Sequence, residues 1–340
     1  MPTRLPWPLV FQILGIILAA WLFIHTWHVW LLVIVALVLA AAMLPAARLL
    51  ERRRVPRGVT VLGIYLLVAG VLVLMGRLLW PALSEQARQF IDQLPRMLDN
   101  LKGWVGDLRV WAEQWGSWVP AAQGADVKME GLLGPLLSNT LAATLGVVGA
   151  VVGLLAVLVI AAYLVIDAED LGRGVLRLVP ARQREAFEDI AEPVLDRMGA
   201  YVRGQLAVSV CVGVMLAVSL SILGVKYALL IGALAAVLNI VPWVGSLVAS
   251  VLGILSALND SAGLALLTAA VFAASNLVEG KLLVPYLVGR ATGLHPLPVM
   301  LALLAGAHLG GLIGALVAVP IAAAVWEVVV ALYVKRDTAR

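Results

Sequence analysis

Five residues in the C-terminal half could handle a solute or an ion inside an apolar setting: Asn239, Pro242, Gly245, Asn276 and Glu279. The first three lie in Asn239-Ile-Val-Pro242-Trp-Val-Gly245, within the apolar stretch 228–258. Proline removes a backbone donor and interrupts the helical bond ladder, freeing carbonyls and amides that can hold a polar solute or cation without a charged side chain. Glu279 falls in the next apolar segment. A carboxylate deep in such a segment costs about 2.5–3.5 kcal/mol or more, and is a functional candidate by default. Asn276, three residues earlier, is expected on the same helix face, with Lys281 turned elsewhere. The chemistry would be proton carriage at Glu279, linked to solute or ion contact at all five residues. The bland alternatives are a wet Glu279 near the interface beside Lys281, and a simple kink at Pro242.

A second interruption, Gly306-Ala-His308-Leu-Gly310-Gly311-Leu-Ile-Gly314, lies within 297–325, which also holds Pro320. Its glycines would permit close packing or sliding of helices. His308 would either titrate or make a structural hydrogen bond. Gly289 and Pro296 bound the loop between the two regions, and Arg203 with Gln205 would form a cytoplasmic gate at the start of the transport region. Broken helices in lipid survive only when buried in protein or lining a wet cavity, and matched breaks point to a transporter's substrate site.

Nothing else in the chain offers catalytic or metal-binding material. His25 and His28 lack a third ligand nearby, and the single cysteine, Cys211, excludes a cysteine-based cluster or an intramolecular disulfide. Glu185, Glu188, Asp189 and Glu192 share a mixed-charge run with Arg182 and Arg184, which reads as a solvated face. No phosphate-binding G-x-x-x-x-G-K-[ST] or H-E-x-x-H motif occurs, so no catalytic residue, metal or cofactor is expected.

These residues must be positioned by membrane helices. The hydrophobic share is 63% and the charged share 13%, outside the range of a soluble domain, and the net charge of +4 is grouped by loop rather than along a nucleic-acid-binding face. The expected fold is an all-α polytopic membrane protein of about eight transmembrane helices, with broken or re-entrant segments in the C-terminal half. Residues 1–80 supply three N-terminal spans, the first retained rather than cleaved. Residues 81–139 form an amphipathic helical extracytoplasmic segment, carrying Trp104, Trp111, Trp115 and Trp118 and a loop at 123–134. The fourth span is 140–166, a cytoplasmic helical segment is 167–203, the transport region is 204–334 and a tail is 335–340. Arg48, Arg52, Arg53, Arg54 and Arg57 mark a cytoplasmic loop, so the N-terminus, two crossings earlier, is cytoplasmic, and Lys335 and Arg336 suggest the same for the C-terminus. Whether 228–258 and 297–325 are kinked spans or re-entrant hairpins stays open at this level.

Several motifs in order resemble one family. They are Asp196-Arg-Met-Gly-Ala-Tyr-Val-Arg-Gly-Gln205, Ile240-Val-Pro-Trp-Val-Gly245, Asn276-Leu-Val-Glu-Gly-Lys-Leu-Leu-Val-Pro-Tyr-Leu-Val-Gly-Arg290, Leu294-His-Pro296 and Gly310-Gly-Leu-Ile-Gly-Ala-Leu-Val-Ala-Val-Pro320. The chain is similar in these to the autoinducer-2 exporter-like permease family. That resemblance implies a multi-pass transporter of the bacterial inner membrane that exports an autoinducer-2-like solute, or exchanges sodium or lithium for protons. It also implies a homo-oligomer, as a pentamer, with lipid and a small-molecule or cation substrate as partners and no nucleic acid. Competing classes are a membrane enzyme, a channel, and a non-transporting docking protein that uses the Trp-rich segment.

Overall fold

The computed structural model describes residues 7–114, 140–288 and 294–331. It is helical, with no strand among the described residues. Helix α1 is Trp7–His25, α2 Trp27–Glu51, α3 Arg57–Gln114, α4 Thr140–Ile166, α5 Ala168–Leu178, α6 Arg184–Ile222, α7 Ala228–Leu238, α8 Val244–Leu258 and α9 Ala262–Val278. A π-helical segment, Glu279–Val288, continues α9, and α10 is Pro296–Val329.

Long apolar faces such as Leu62, Leu66, Val73 and Leu78 of α3 are exposed, which suits lipid and not water. Among the described residues, five helices are long and apolar enough to cross a membrane, or six if α4 and α5 are counted as one bent span. The chain is a multi-pass membrane protein. The expected count of about eight is not reached by this measure. One reason lies in 228–258, which makes two short helices instead of one long one.

Several sequence boundaries shift. The turn between the first two helices is confined to Thr26, whose hydroxyl donates to the Leu22 carbonyl at 2.7 Å. The third span and the amphipathic segment behind it form one continuous helix, α3, which passes through Pro81 and Pro95. The loop 123–134, Trp115, Trp118, Gly289, Lys335 and Arg336 lie outside the described residues.

The chain forms two compact units that ignore sequence order: Met1–Gly58, Val151–Gly199 and Leu294–Arg340 in one, Val59–Ala150 and Ala200–Gly293 in the other. In the second unit, α7 and α8 fold back on one another. The hydroxyl of Ser256, late in α8, donates to the carbonyl of Lys226, just before α7, at 3.1 Å, while Gly245, early in α8, packs on Ala235 and Asn239 at the end of α7. Contacts at both ends define an antiparallel hairpin, so the kinked single crossing is excluded. The 11 and 15 residues of the two helices span only about 16 and 22 Å, short of a hydrocarbon core about 30 Å thick. The base of the hairpin is fastened by Lys226 to Asp260 at 2.5 Å and by Asn100 to Asn259 at 2.7 Å. Ser261 caps α9 by accepting from the Leu264 amide at 3.1 Å.

In the first unit, α10 has the length of a span but not its geometry. Gly310 (φ −140°, ψ 18°) and Gly311 (φ 58°, ψ −141°) break the helix, and Gly306 meets the backbone of Gly314. Eight residues of straight helix would separate that pair by about 12 Å, so the segment folds into a second hairpin. The break leaves the Leu309 carbonyl without a helical partner, and the indole Nε1 of Trp27 donates to it at 3.0 Å. Nothing lies within 4 Å of where a Cβ on Gly311 would sit, so the requirement there is the left-handed backbone alone. Gly311→Ala is therefore expected to cost about 1–3 kcal/mol. This would be read as a lower unfolding midpoint in detergent, with the open helical position Gly63→Ala as the unaffected control. An unchanged midpoint would mean that the turn is relaxed. The same unit contains a charge cluster that composition alone does not reveal: Arg197 reaches Glu327, 4% exposed, at 2.9 Å, and Arg48 reaches Glu192 at 2.8 Å.

Candidate functional site

The second unit brings together Gln205, Asn239, Gly245 and Glu279. Asn239 ends α7, where its amide still donates to the Ala235 carbonyl at 2.8 Å. Pro242 follows and cannot continue the ladder, so the chain turns through Trp243 (φ 66°, ψ −23°) before α8 begins. A left-handed backbone at a bulky residue is uncommon and costs about 1–3 kcal/mol, the kind of strain that collects at functional sites. Gly245 permits the turn to close. A Cβ there would lie under 3 Å from the Asn239 backbone and the Ala235 carbonyl oxygen.

The Asn239 side chain is wholly buried, and its Nδ2 donates to Glu279 Oε1 at 2.9 Å. From α6, the Gln205 Nε2 donates to the Asn239 carbonyl at 2.6 Å. Gln205 is placed there because its neighbour Gly204 packs on the backbone of Leu287 and Val288. Glu279 is only 7% exposed, whereas Lys281 is exposed, so the reading of a wet interfacial glutamate is corrected. Asn239 Oδ1 is buried without a hydrogen-bond donor among the described residues. A buried oxygen without a partner is unusual, since buried polar atoms are almost always paired.

Asn276 does not share the buried face of Glu279. The buried face of α9 runs Ala265, Thr268, Phe272, Ser275 and then Glu279, while Asn276 is exposed. The helix widens into π geometry at Glu279, and that face passes through Ser275 rather than Asn276. Such widenings are frequent at functional positions. Ser275 is the residue missed, and its spacing of four from Glu279 was the available signal. Arg203 is exposed, whereas Gln205 is buried. Pro242 is half-buried at the break itself.

The other sequence candidates belong to the first unit. Pro296 opens α10, His308 is exposed, Gly310 and Gly311 make the break, Gly314 packs on Gly306, and Pro320 is fully buried. No group of three or more His, Cys, Asp or Glu that could hold a metal occurs among the described residues.

The profile of the AI-2E family transporter matches residues 9–333 of the chain. The chain belongs to the AI-2E family. Among its relatives is "Putative transport protein YrrI" of Bacillus subtilis (strain 168), 29% identical over 94% of this chain and 90% of that protein. "Putative transport protein YueF" of the same organism is 29% identical over 83% of this chain and 78% of its own length. "AI-2 transport protein TqsA" of Escherichia coli (strain K12) is 28% identical over 85% and 81%. This AI-2E chain is thus a membrane transporter in which Glu279, the most enclosed carboxylate among the described residues of the second unit, meets the break of a re-entrant hairpin.

Gln205 carries a prediction of its own. Replacing it by Leu removes the donor to a buried carbonyl, and leaving such a group unsatisfied costs about 1–3 kcal/mol. Gln205→Leu should lower the unfolding midpoint and slow transport, whereas Lys281→Gln, at an exposed position, should leave the midpoint unchanged. Equal midpoints for Gln205→Leu and wild type would remove Gln205 from the site.

Proposed function

We propose that this AI-2E protein exports a small polar solute of the autoinducer-2 kind from the cytoplasm, driven by exchange of a proton or a monovalent cation at Glu279. The observation that carries the reading is the buried Asn239–Glu279 pair in the hairpin break. An ionised Glu279 accepts from Asn239 Nδ2, as observed. A protonated Glu279 becomes a donor and would be served by Asn239 Oδ1, the oxygen that has no donor now. Rotation of one carboxamide thus accommodates both protonation states without moving the backbone. Gln205 holds the Asn239 carbonyl while that rotation occurs.

A second reading, sodium or lithium exchange for protons, is favoured by the same orphaned Oδ1. Together with the Glu279 carboxylate it offers hard oxygen ligands to a small cation. In both readings the chain occupies the bacterial inner membrane with both termini in the cytoplasm, which the arginines at 48–57 favour. About eight membrane-embedded segments then follow if α1, α2, α3, α4, α6, the α7–α8 hairpin, α9 and α10 are each counted once. Family resemblance supports assembly as a homo-oligomer, a pentamer.

The test is flux in proteoliposomes under an imposed pH gradient, following autoinducer-2, sodium and lithium separately. Saturable autoinducer-2 movement that collapses with the gradient is the expected result. Cation movement alone would select the antiporter, and flux of all three without saturation would indicate a channel and defeat both readings.

A further inference from the structure

Helix α5 has no buried residue, yet it is strongly two-sided. Successive residues turn by about 100°. That places Glu169, Asp170, Arg173 and Arg177 on one side and Ala168, Leu171, Val175 and Leu178 on the other. Among the described residues none covers the apolar side: Leu171 is 45% exposed, Val175 46% and Leu178 86%. Its polar side is engaged in ion pairs, Glu169 with Arg57 and Asp170 with Arg173.

We infer that α5 is an interfacial anchor, lying in the plane of the membrane with Leu171, Val175 and Leu178 sunk into the boundary between lipid headgroups and acyl chains. Three observations select lipid as the occupant. First, α4 is an apolar helix of 27 residues, and α5 leaves its end at an angle of 78°. A helix nearly perpendicular to a spanning helix runs along the membrane surface. Second, the exposed stripe on α5 follows directly on the exposed apolar residues of α4, Val159, Tyr163 and Ile166, which a spanning helix turns to lipid. Third, four charged residues within eleven exclude the hydrocarbon core, while an apolar arc through Ala168, Leu171, Val175 and Leu178, with Leu176 at the border of the charged side, suits the interface. A surface helix of this kind sinks its apolar side about 5–10 Å below the headgroups.

The test uses the full chain in vesicles of phosphatidylethanolamine and phosphatidylglycerol. Cys211 would be replaced by Ala, and a nitroxide attached in turn at Leu171→Cys, Arg173→Cys, Val175→Cys, Arg177→Cys and Leu178→Cys. Collisions with apolar oxygen and with a water-soluble nickel chelate are then compared. Positions 171, 175 and 178 should favour oxygen and positions 173 and 177 should favour nickel, so that the ratio inverts along the sequence. Nickel access at all five positions would make α5 a water-bathed helix. Protection of 171, 175 and 178 from both reagents would put a protein, such as a second copy, on the face. Either outcome overturns the inference. Because all five sites are exposed, labelling does not disturb a core, and the internal comparison does not depend on transport activity.

Discussion

Glu279→Gln is expected to cut gradient-driven accumulation severely while leaving the helices assembled. The substitution keeps the size of the side chain and keeps an oxygen for Asn239 Nδ2 to donate to, so the 2.9 Å contact survives. What disappears is the ability to bind and release a proton. Coupling free energies between sites are typically about 1–3 kcal/mol, so the accumulation supported by a given gradient should fall by about 5- to 150-fold. Glu279→Leu would be worse for a different reason: it leaves Asn239 Nδ2 without its acceptor and adds a folding defect of about 1–3 kcal/mol. A Glu279→Gln protein that accumulates substrate like wild type would remove Glu279 from the coupling step. Asn276→Ala makes a sharp companion, because Asn276 is exposed and should be replaceable with full activity.

The second large effect is expected at Gly245. Nearly all the atoms that an alanine methyl would meet belong to backbone, the amide and Cα of Asn239 and the carbonyl of Ala235, so no rotamer change relieves the overlap. Helices α7 and α8 must separate where Asn239 is aimed at Glu279. Overpacking of this kind costs about 1–3 kcal/mol. Transport should fall further than stability, because a sub-ångström displacement of Asn239 weakens a hydrogen bond that the site uses directly. Thermal unfolding and flux measured on the same Gly245→Ala preparation separate the two. Wild-type flux from a protein with a lowered midpoint would show that the hairpin contact is structural only.

Much of this arrangement was legible in the chain. Pro242 and Gly245 announced a break, Glu279 announced a buried carboxylate, and Gly310-Gly311 announced the second turn. That the first break makes a hairpin was not legible, because a kinked helix and a folded-back pair share the same apolar stretch. The decision comes from contacts between residues far apart in sequence, Ser256 with Lys226 and Gly245 with Asn239. Asn276 was misplaced because helical spacing was assumed through Val278, whereas the backbone changes period there. Gln205 was named only as part of a gate with Arg203. Its real role depends on a carbonyl 34 residues later, which no local pattern can specify. The pair Arg197 and Glu327 escaped for the same reason, since each residue alone reads as an ordinary charge near a membrane boundary.

The shortness of α7 and α8 also bears on biosynthesis. Neither helix is long enough to be threaded across the bilayer alone, and α7 ends in an asparagine whose partner is Glu279, 40 residues downstream. At about 5–20 residues per second, roughly 2–8 seconds of translation separate the two. During that interval the carboxamide has no carboxylate to meet, so the hairpin should leave the insertion machinery only once α9 has followed it. A ribosome stalled before Glu279 should therefore yield a chain whose first five apolar helices are protected by the membrane while 228–258 stays open to protease.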